Sequence, residues 1–150
     1  MRIGVPKEIK PQENRIGLTP DSVKTLVTEG HEVLVENNGG FEAGFDNDQY
    51  KNAGAKIIEK ATDIFNDAEI IVKVKEPQKV EVEMIKENQI VYTYLHLAAA
   101  KELTEGLVKS KSINIAYETI TDDNGRLPLL APMSAVAGRM SVQAGAHCLE

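Results

Sequence analysis

Six short apolar runs, rich in β-branched residues and separated by helix-like segments, constrain the fold of this chain more than any other feature. They are RIGVP (2–6), HEVLVEN (31–37), AKII (55–58), EIIVKVKEP (69–77), QIVYTYL (89–95) and INIAYETI (113–120). Several are apolar on consecutive residues, as in Ile70-Ile71-Val72. Such runs suit strands covered on both faces, which is how parallel sheets read. The alternation predicts an α/β fold: a doubly wound, mainly parallel, flavodoxin-like sheet. Right-handed crossovers would put the carboxyl end of every strand on one edge, where such sheets bind ligands.

The intervening segments carry helix signals. In TPDSVKTLVTEG, Thr19 can cap a helix, with Pro20 at its first position and Asp21 near the positive end of its dipole. Val23, Leu26 and Val27 then form one apolar face, and Gly30 is a natural stop. Further helices are expected in DNDQYKNAGA, ATDIFNDA, KVEVEMIKEN and AAAKELTEGLVKSK, the last with Leu103 and Leu107 on one face. NNGG (37–40) and DDNGR (122–126) read as turns; the second has some acidic residues of a calcium loop but neither its full spacing nor its closing glutamate. After Pro128 comes one helical stretch full of Ala, Ser and Gly, ending at Glu150 without a cap. The expected division is therefore a domain over 1–127 and the start of a linking helix over 128–150, within a longer polypeptide.

Composition narrows the function. A length of 150 residues is enough to bury a substantial core, and 42% hydrophobic with 27% charged residues is a globular balance. A net charge of −6 without a basic block argues against nucleic acid as a partner. No apolar run is long enough for a membrane span, and MRIGVPKEIK lacks the core of a secretory signal, so a cytoplasmic location is expected. The lone Cys148 excludes an internal disulfide and any multi-cysteine metal site; no metal is expected.

No G-x-G-x-x-G, P-loop, H-E-x-x-H or G-x-S-x-G motif occurs. What remains is a constellation at strand ends. Arg15 falls at the first β→α connection, where its guanidinium could clamp a carboxylate; alone it would read as a surface arginine paired with Glu13 or Glu8. Lys73 and Lys75 share one face of an apolar strand, a costly place for a lysine unless it meets an anion. The plainer reading is a lysine blunting an edge strand. Glu76, before Pro77, is placed to cap or orient. His96 follows the next strand and suits proton exchange near neutrality, against the plainer reading of a turn histidine; His31 and His147 carry only that plainer reading. Glu118 adds a polar group after the sixth run. Together Arg15, Lys75 and His96 point to a small anionic substrate, a carboxylate, with proton transfer by the histidine. The reaction itself stays open on these grounds.

MRIGVPKEIKPQENRIGLTP, KVKEPQ, TYLHLAA and PMSAVAGRMSVQAGAHCLE, in this order, resemble the N-terminal, substrate-binding and catalytic domain of bacterial L-alanine dehydrogenases, and the likeness runs through essentially the whole chain. It implies a longer polypeptide whose Rossmann NAD domain lies beyond Glu150 and is absent from this chain. It also implies reversible, NAD-dependent oxidative deamination, in which L-alanine and water give pyruvate and ammonium. On the matching motifs, Arg15 would bind the substrate carboxylate and Lys75 the carboxylate or carbonyl oxygen. His96 would give and take the proton, and Met133 and Ser134 would lie beside the nicotinamide nucleotide. The resemblance further implies a homohexamer, NAD held mainly by the absent domain, and no turnover from this chain alone. The runner-up is the nucleotide-binding subunit of proton-translocating transhydrogenase, which shares RIGVPKE and the following arginine but not the lysine and histidine found here as Lys75 and His96. The saccharopine-forming dehydrogenases are more distant, and a non-enzymatic binding or oligomerisation module is the remaining alternative.

Overall fold

The computed structural model describes residues 1–150. All six apolar runs form strands: β1 (Arg2–Val5), β2 (Glu32–Glu36), β3 (Lys56–Ile58), β4 (Ile70–Val72), β5 (Ile90–Thr93) and β6 (Ile113–Ala116). They build one sheet in the order β3-β2-β1-β4-β5-β6, with the pairs β3–β2, β2–β1, β1–β4 and β4–β5 parallel. Ile3 pairs with Val33 on one side and with Ile70 on the other. The expected doubly wound α/β class holds. Within that class β3 lies outside β2, giving a six-stranded order rather than the 2-1-3-4-5 order of flavodoxin itself. The winding direction reverses between β1 and β4, so their carboxyl ends open a crevice at the centre of the sheet.

The helices are α1 (Pro20–Thr28), α2 (Asn47–Asn52), α3 (Ala61–Asp67), α4 (Lys79–Val82), α5 (Lys101–Ser110) and α6 (Ala131–Cys148). Thr19 caps α1 as expected, its side chain accepting from the Ser22 N–H at 3.3 Å. Gly30 follows the helix with φ +84°, a left-handed value glycine tolerates without a Cβ penalty. Asp46 caps α2 in a reciprocal box with Gln49. The expected fourth helix is shorter than its apolar pattern, ending at Val82. The Asp122–Arg126 segment is a turn, with the Gly125 N–H donating to the Asp122 carbonyl at 2.9 Å.

Strand alternation divides the core between two faces of the sheet. Ile3, Val5, Val33, Val35 and Val72 pack with Val23 of α1 and Tyr50 of α2. The Tyr50 hydroxyl, deep in this cluster, donates to the Leu18 carbonyl at 2.8 Å, so the ring is buried without an orphan polar atom. Gly4 points the other way, toward α3, where a Cβ would stand 2.5 Å from Ile64 Cγ2. Each fully buried aliphatic side chain contributes about 1.5–3 kcal/mol. By internal contacts the chain forms two compact units, Met1–Ile115 and Ala116–Glu150. The second contains α6, an 18-residue helix with no buried residue. No helix is long and apolar enough to cross a membrane.

One close approach links the fold to the crevice. Gly17 lies against the end of β4, where a Cβ would come 2.5 Å from the Val72 carbonyl oxygen and 3.2 Å from the Lys73 Cα. Both neighbours are backbone and cannot swing aside, so the loop carrying Arg15 can lie this close to β4 only with glycine here. Gly17→Ala is expected to lower stability by about 1–3 kcal/mol, read as a fall in the urea midpoint. An unchanged midpoint would contradict the close packing.

Candidate functional site

The base of the crevice is a buried ion cluster. Lys73, immediately after β4, has no exposed side-chain surface; its Nζ donates to Glu8 Oε2 at 3.0 Å and to Glu81 Oε1 at 2.7 Å. An edge-strand role for this lysine is thereby corrected: β4 lies between β1 and β5, and Lys73 is enclosed. The desolvation argument from sequence, that a lysine here requires an anion, is met twice over. Glu8 also accepts the backbone N–H groups of Val74 (2.6 Å) and Lys75 (3.2 Å) at Oε1. Glu81 Oε2 accepts the Gln78 N–H at 2.7 Å at the start of α4. Burial pushes the Glu81 carboxyl above its ordinary range, and the nearby Lys73 charge offsets only part of that. The cluster ties the segment after β1, the segment after β4 and the first turn of α4 to one ammonium group.

Above this base stand the two candidate substrate cations. Arg15 forks onto Glu13, with Nε to Oε1 at 2.8 Å and Nη2 to Oε2 at 2.6 Å. The hydrogen bonds from Arg15 hold the Glu13 carboxyl down to about 2, against the opposing effect of burial, and the Lys75 charge adds to the lowering. Arg15 thus has the glutamate partner of the plainer reading and also sits where the crevice opens. Lys75 is half-buried, its main chain gripped on both sides: its N–H goes to Glu8, and its carbonyl accepts the Thr93 hydroxyl at 2.9 Å. A cleft of about 240 Å³ opens between the β1–α1 connection and Gly39, lined by Glu8, Lys10, Glu13 and Arg15 among others.

His96 follows β5 and is exposed, with backbone φ 51° and ψ 37°. A non-glycine residue in this left-handed region carries strain, which recurs at functional positions. Its ring stacks near that of Tyr94, centroids 6.2 Å apart and planes at 20°. Tyr94 in turn interacts electrostatically with Arg15. Glu76, next to Lys75, is paired with Lys10 through Oε1 and feels the charge of His96. Burial works to raise the Glu76 carboxyl, but the Lys10 hydrogen bond and charge, with His96, bring it below the ordinary range. Its Oε2 is buried without a hydrogen-bond partner. Arg15, Lys75 and His96 thus lie on the segments that follow β1, β4 and β5, three neighbouring strands of the sheet.

Met133 and Ser134 belong to the second unit, on the first turn of α6. Met133 is half-buried; Ser134 is exposed, its hydroxyl donating to the Leu130 carbonyl at 3.3 Å. Glu118 is half-buried in the short 3₁₀ turn after β6. A larger groove of about 680 Å³ lies between α4 and α5, lined by Val82, Leu103 and Gly106. It contains none of Arg15, Lys75 or His96. Sequence reasoning missed Glu8 and Glu81 as the anions of Lys73, and Glu13 as a part of the site. The lysine inside an apolar run was the usable signal, because it demanded carboxylates that only the fold could name.

The geometry can be set beside known proteins. A family model described as "Alanine dehydrogenase/PNT, N-terminal domain" matches residues 4–137. Alanine dehydrogenase of Staphylococcus epidermidis is 52% identical over all 150 residues, and that of Halomonas elongata 53%. The chain spans about 40% of the length of these curated relatives. A solved L-alanine dehydrogenase superposes with a TM-score of 0.92 at 53% identity, covering 100% of this chain and 41% of that one. The transhydrogenase of Sinorhizobium meliloti is more distant: TM-score 0.75 at 25% identity, over 80% of this chain and 36% of that one. The chain belongs to the alanine dehydrogenase/PNT N-terminal domain family.

Proposed function

We propose that this chain is the substrate-binding and catalytic part of an NAD-dependent L-alanine dehydrogenase, with 1–127 as that domain and 128–150 as the start of a linking helix. The observation that carries the reading is the placement of Arg15, Lys75 and His96 on the segments that follow the neighbouring strands β1, β4 and β5, beside the Lys73 ion cluster. Relatives named alanine dehydrogenase, at about half identity over the whole chain, support it over the transhydrogenase alternative.

Each residue has a definite task in this proposal. Arg15 and Lys75 fix the substrate carboxylate, so that the Cα–H bond is presented in one direction; this is catalysis by positioning. Lys75 also stabilises negative charge that develops on the substrate oxygen. His96 accepts a proton at its imidazole from the water that adds to the imine carbon, and returns it as ammonium leaves. The nicotinamide supplies the hydride acceptor. In this proposal the Met133 thioether and the Ser134 hydroxyl, both on the first turn of α6, lie beside that nucleotide. The β1–α1 connection cannot cradle a pyrophosphate, because Glu8 and Glu13 line it with carboxylates and no glycine-rich turn is present. The main NAD contacts are accordingly assigned to chain beyond these residues. Cytoplasmic, homohexameric assembly is the accompanying proposal.

The full-length enzyme is expected to oxidise NADH when given pyruvate and ammonium, and to show no hydride exchange between NADH and an NADP analogue; the reverse pattern would favour the transhydrogenase reading. The 150 residues alone are expected to give no turnover. His96→Ala should lower kcat by about 10²–10⁴-fold, and near-normal turnover would remove the histidine from proton transfer. Arg15→Ala should act mainly on KM for alanine and pyruvate, by about tenfold or more, and an unmoved KM would contradict the carboxylate clamp.

A further inference from the structure

The Arg15 guanidinium is a strong carboxylate clamp, yet its Nε–Nη2 edge is already held by a carboxylate of this same chain. Glu13 grips it twice, and also accepts the backbone N–H of Arg15 at 3.0 Å. One side chain thus fixes both the main chain and the head group of the arginine. The partners differ in exposure: the Glu13 side chain is 7% exposed and that of Arg15 51%. The carboxylate is the anchored member and the guanidinium the presented one. Glu13 also interacts with the Lys75 charge. Both Glu13 and Arg15 line the 240 Å³ cleft.

We propose that Glu13 is a positioning residue, an internal anion that holds the Arg15 guanidinium in one orientation at the cleft before substrate arrives. The inference rests on the carboxylate-clamp reading of Arg15 and Lys75. An exposed arginine without a fixed partner samples many rotamers in water, and binding must give that freedom up. The largely buried Glu13 carboxylate removes that freedom before substrate arrives, and the bidentate fork fixes the plane of the guanidinium. Substrate then meets an arginine whose orientation is already set, which lowers the ordering cost of binding.

Two rival roles for Glu13 lead to different kinetics. A carboxylate that occupied the substrate's own place would compete with it, so its removal would tighten binding. A carboxylate that received the α-ammonium group of alanine would matter for alanine and not for pyruvate. Glu13→Gln in the full-length enzyme separates the three roles, with kcat, both KM values and the melting temperature measured together. The positioning role predicts that KM rises for alanine and pyruvate alike, by about tenfold, with kcat within about threefold. Glu13→Asp, which keeps the charge on a shorter stem, should recover part of the loss for both substrates. An unchanged or lowered KM would overturn the proposal, as would a rise for alanine alone. If Arg15→Ala raises KM while Glu13→Gln does not, positioning falls and the clamp stands; if neither raises it, the clamp reading itself falls. Should Glu13→Gln fail to fold, Glu13→Asp carries the test, with an intermediate rise in both KM values expected and wild-type values overturning it.

Discussion

A single buried ammonium group organises the site. Lys73 has no contact with solvent and is bonded to Glu8 and Glu81. Removing one member of such a cluster leaves an unpaired buried charge, at a cost of about 3–5 kcal/mol. The arrangement is more than a stabilising contact. Glu8 reaches from the segment after β1 to grip the main chain of Val74 and Lys75, and Glu81 accepts from the start of α4. The carboxyl ends of β1 and β4 are thereby joined at the point where the winding of the sheet reverses. Lys75 inherits its position from this cluster rather than from its own side-chain contacts. Gly17 serves the same end from the other side, allowing the loop that carries Arg15 to lie against the end of β4.

The strand-helix rhythm was legible because each element carries its own local signal. Consecutive apolar residues mark strands covered on both faces, and Thr19, Pro20 and Gly30 mark the limits of α1. The strand ends followed from the sheet class, and with them the neighbourhood of Arg15, Lys75 and His96. Two kinds of information were out of reach. The length of α4 was one: VEVEMIKEN has helical apolar spacing, but the helix ends at Val82 where the chain turns toward β5. Partner choice was the other. Glu8 and Lys73 are 65 residues apart, and no local pattern says that this carboxylate rather than Glu13 or Glu76 takes that ammonium. The left-handed backbone of His96 was equally invisible, since a histidine in this region has no distinctive neighbours in sequence.

The charges around the crevice form two layers. The lower one, Lys73 with Glu8 and Glu81, is closed to water and holds the backbone. The upper one, Arg15 with Glu13, half-buried Lys75, and Lys10 with Glu76, borders the opening. Arg15 and Lys10 of the upper layer each stand beside a carboxylate, and the lysine below is fully engaged by Glu8 and Glu81. The larger groove between α4 and α5 shares Glu76 with this upper layer and is also lined by Lys79 and Lys109, but by none of Arg15, Lys75 or His96.

The most direct test of this account is a crystal structure of the full-length enzyme with pyruvate. The account predicts the pyruvate carboxylate within about 3 Å of both the Arg15 guanidinium and the Lys75 ammonium, with Lys73 still bonded to Glu8 and Glu81. Pyruvate bound in the α4–α5 groove, or held by Lys73 in place of those glutamates, would contradict it.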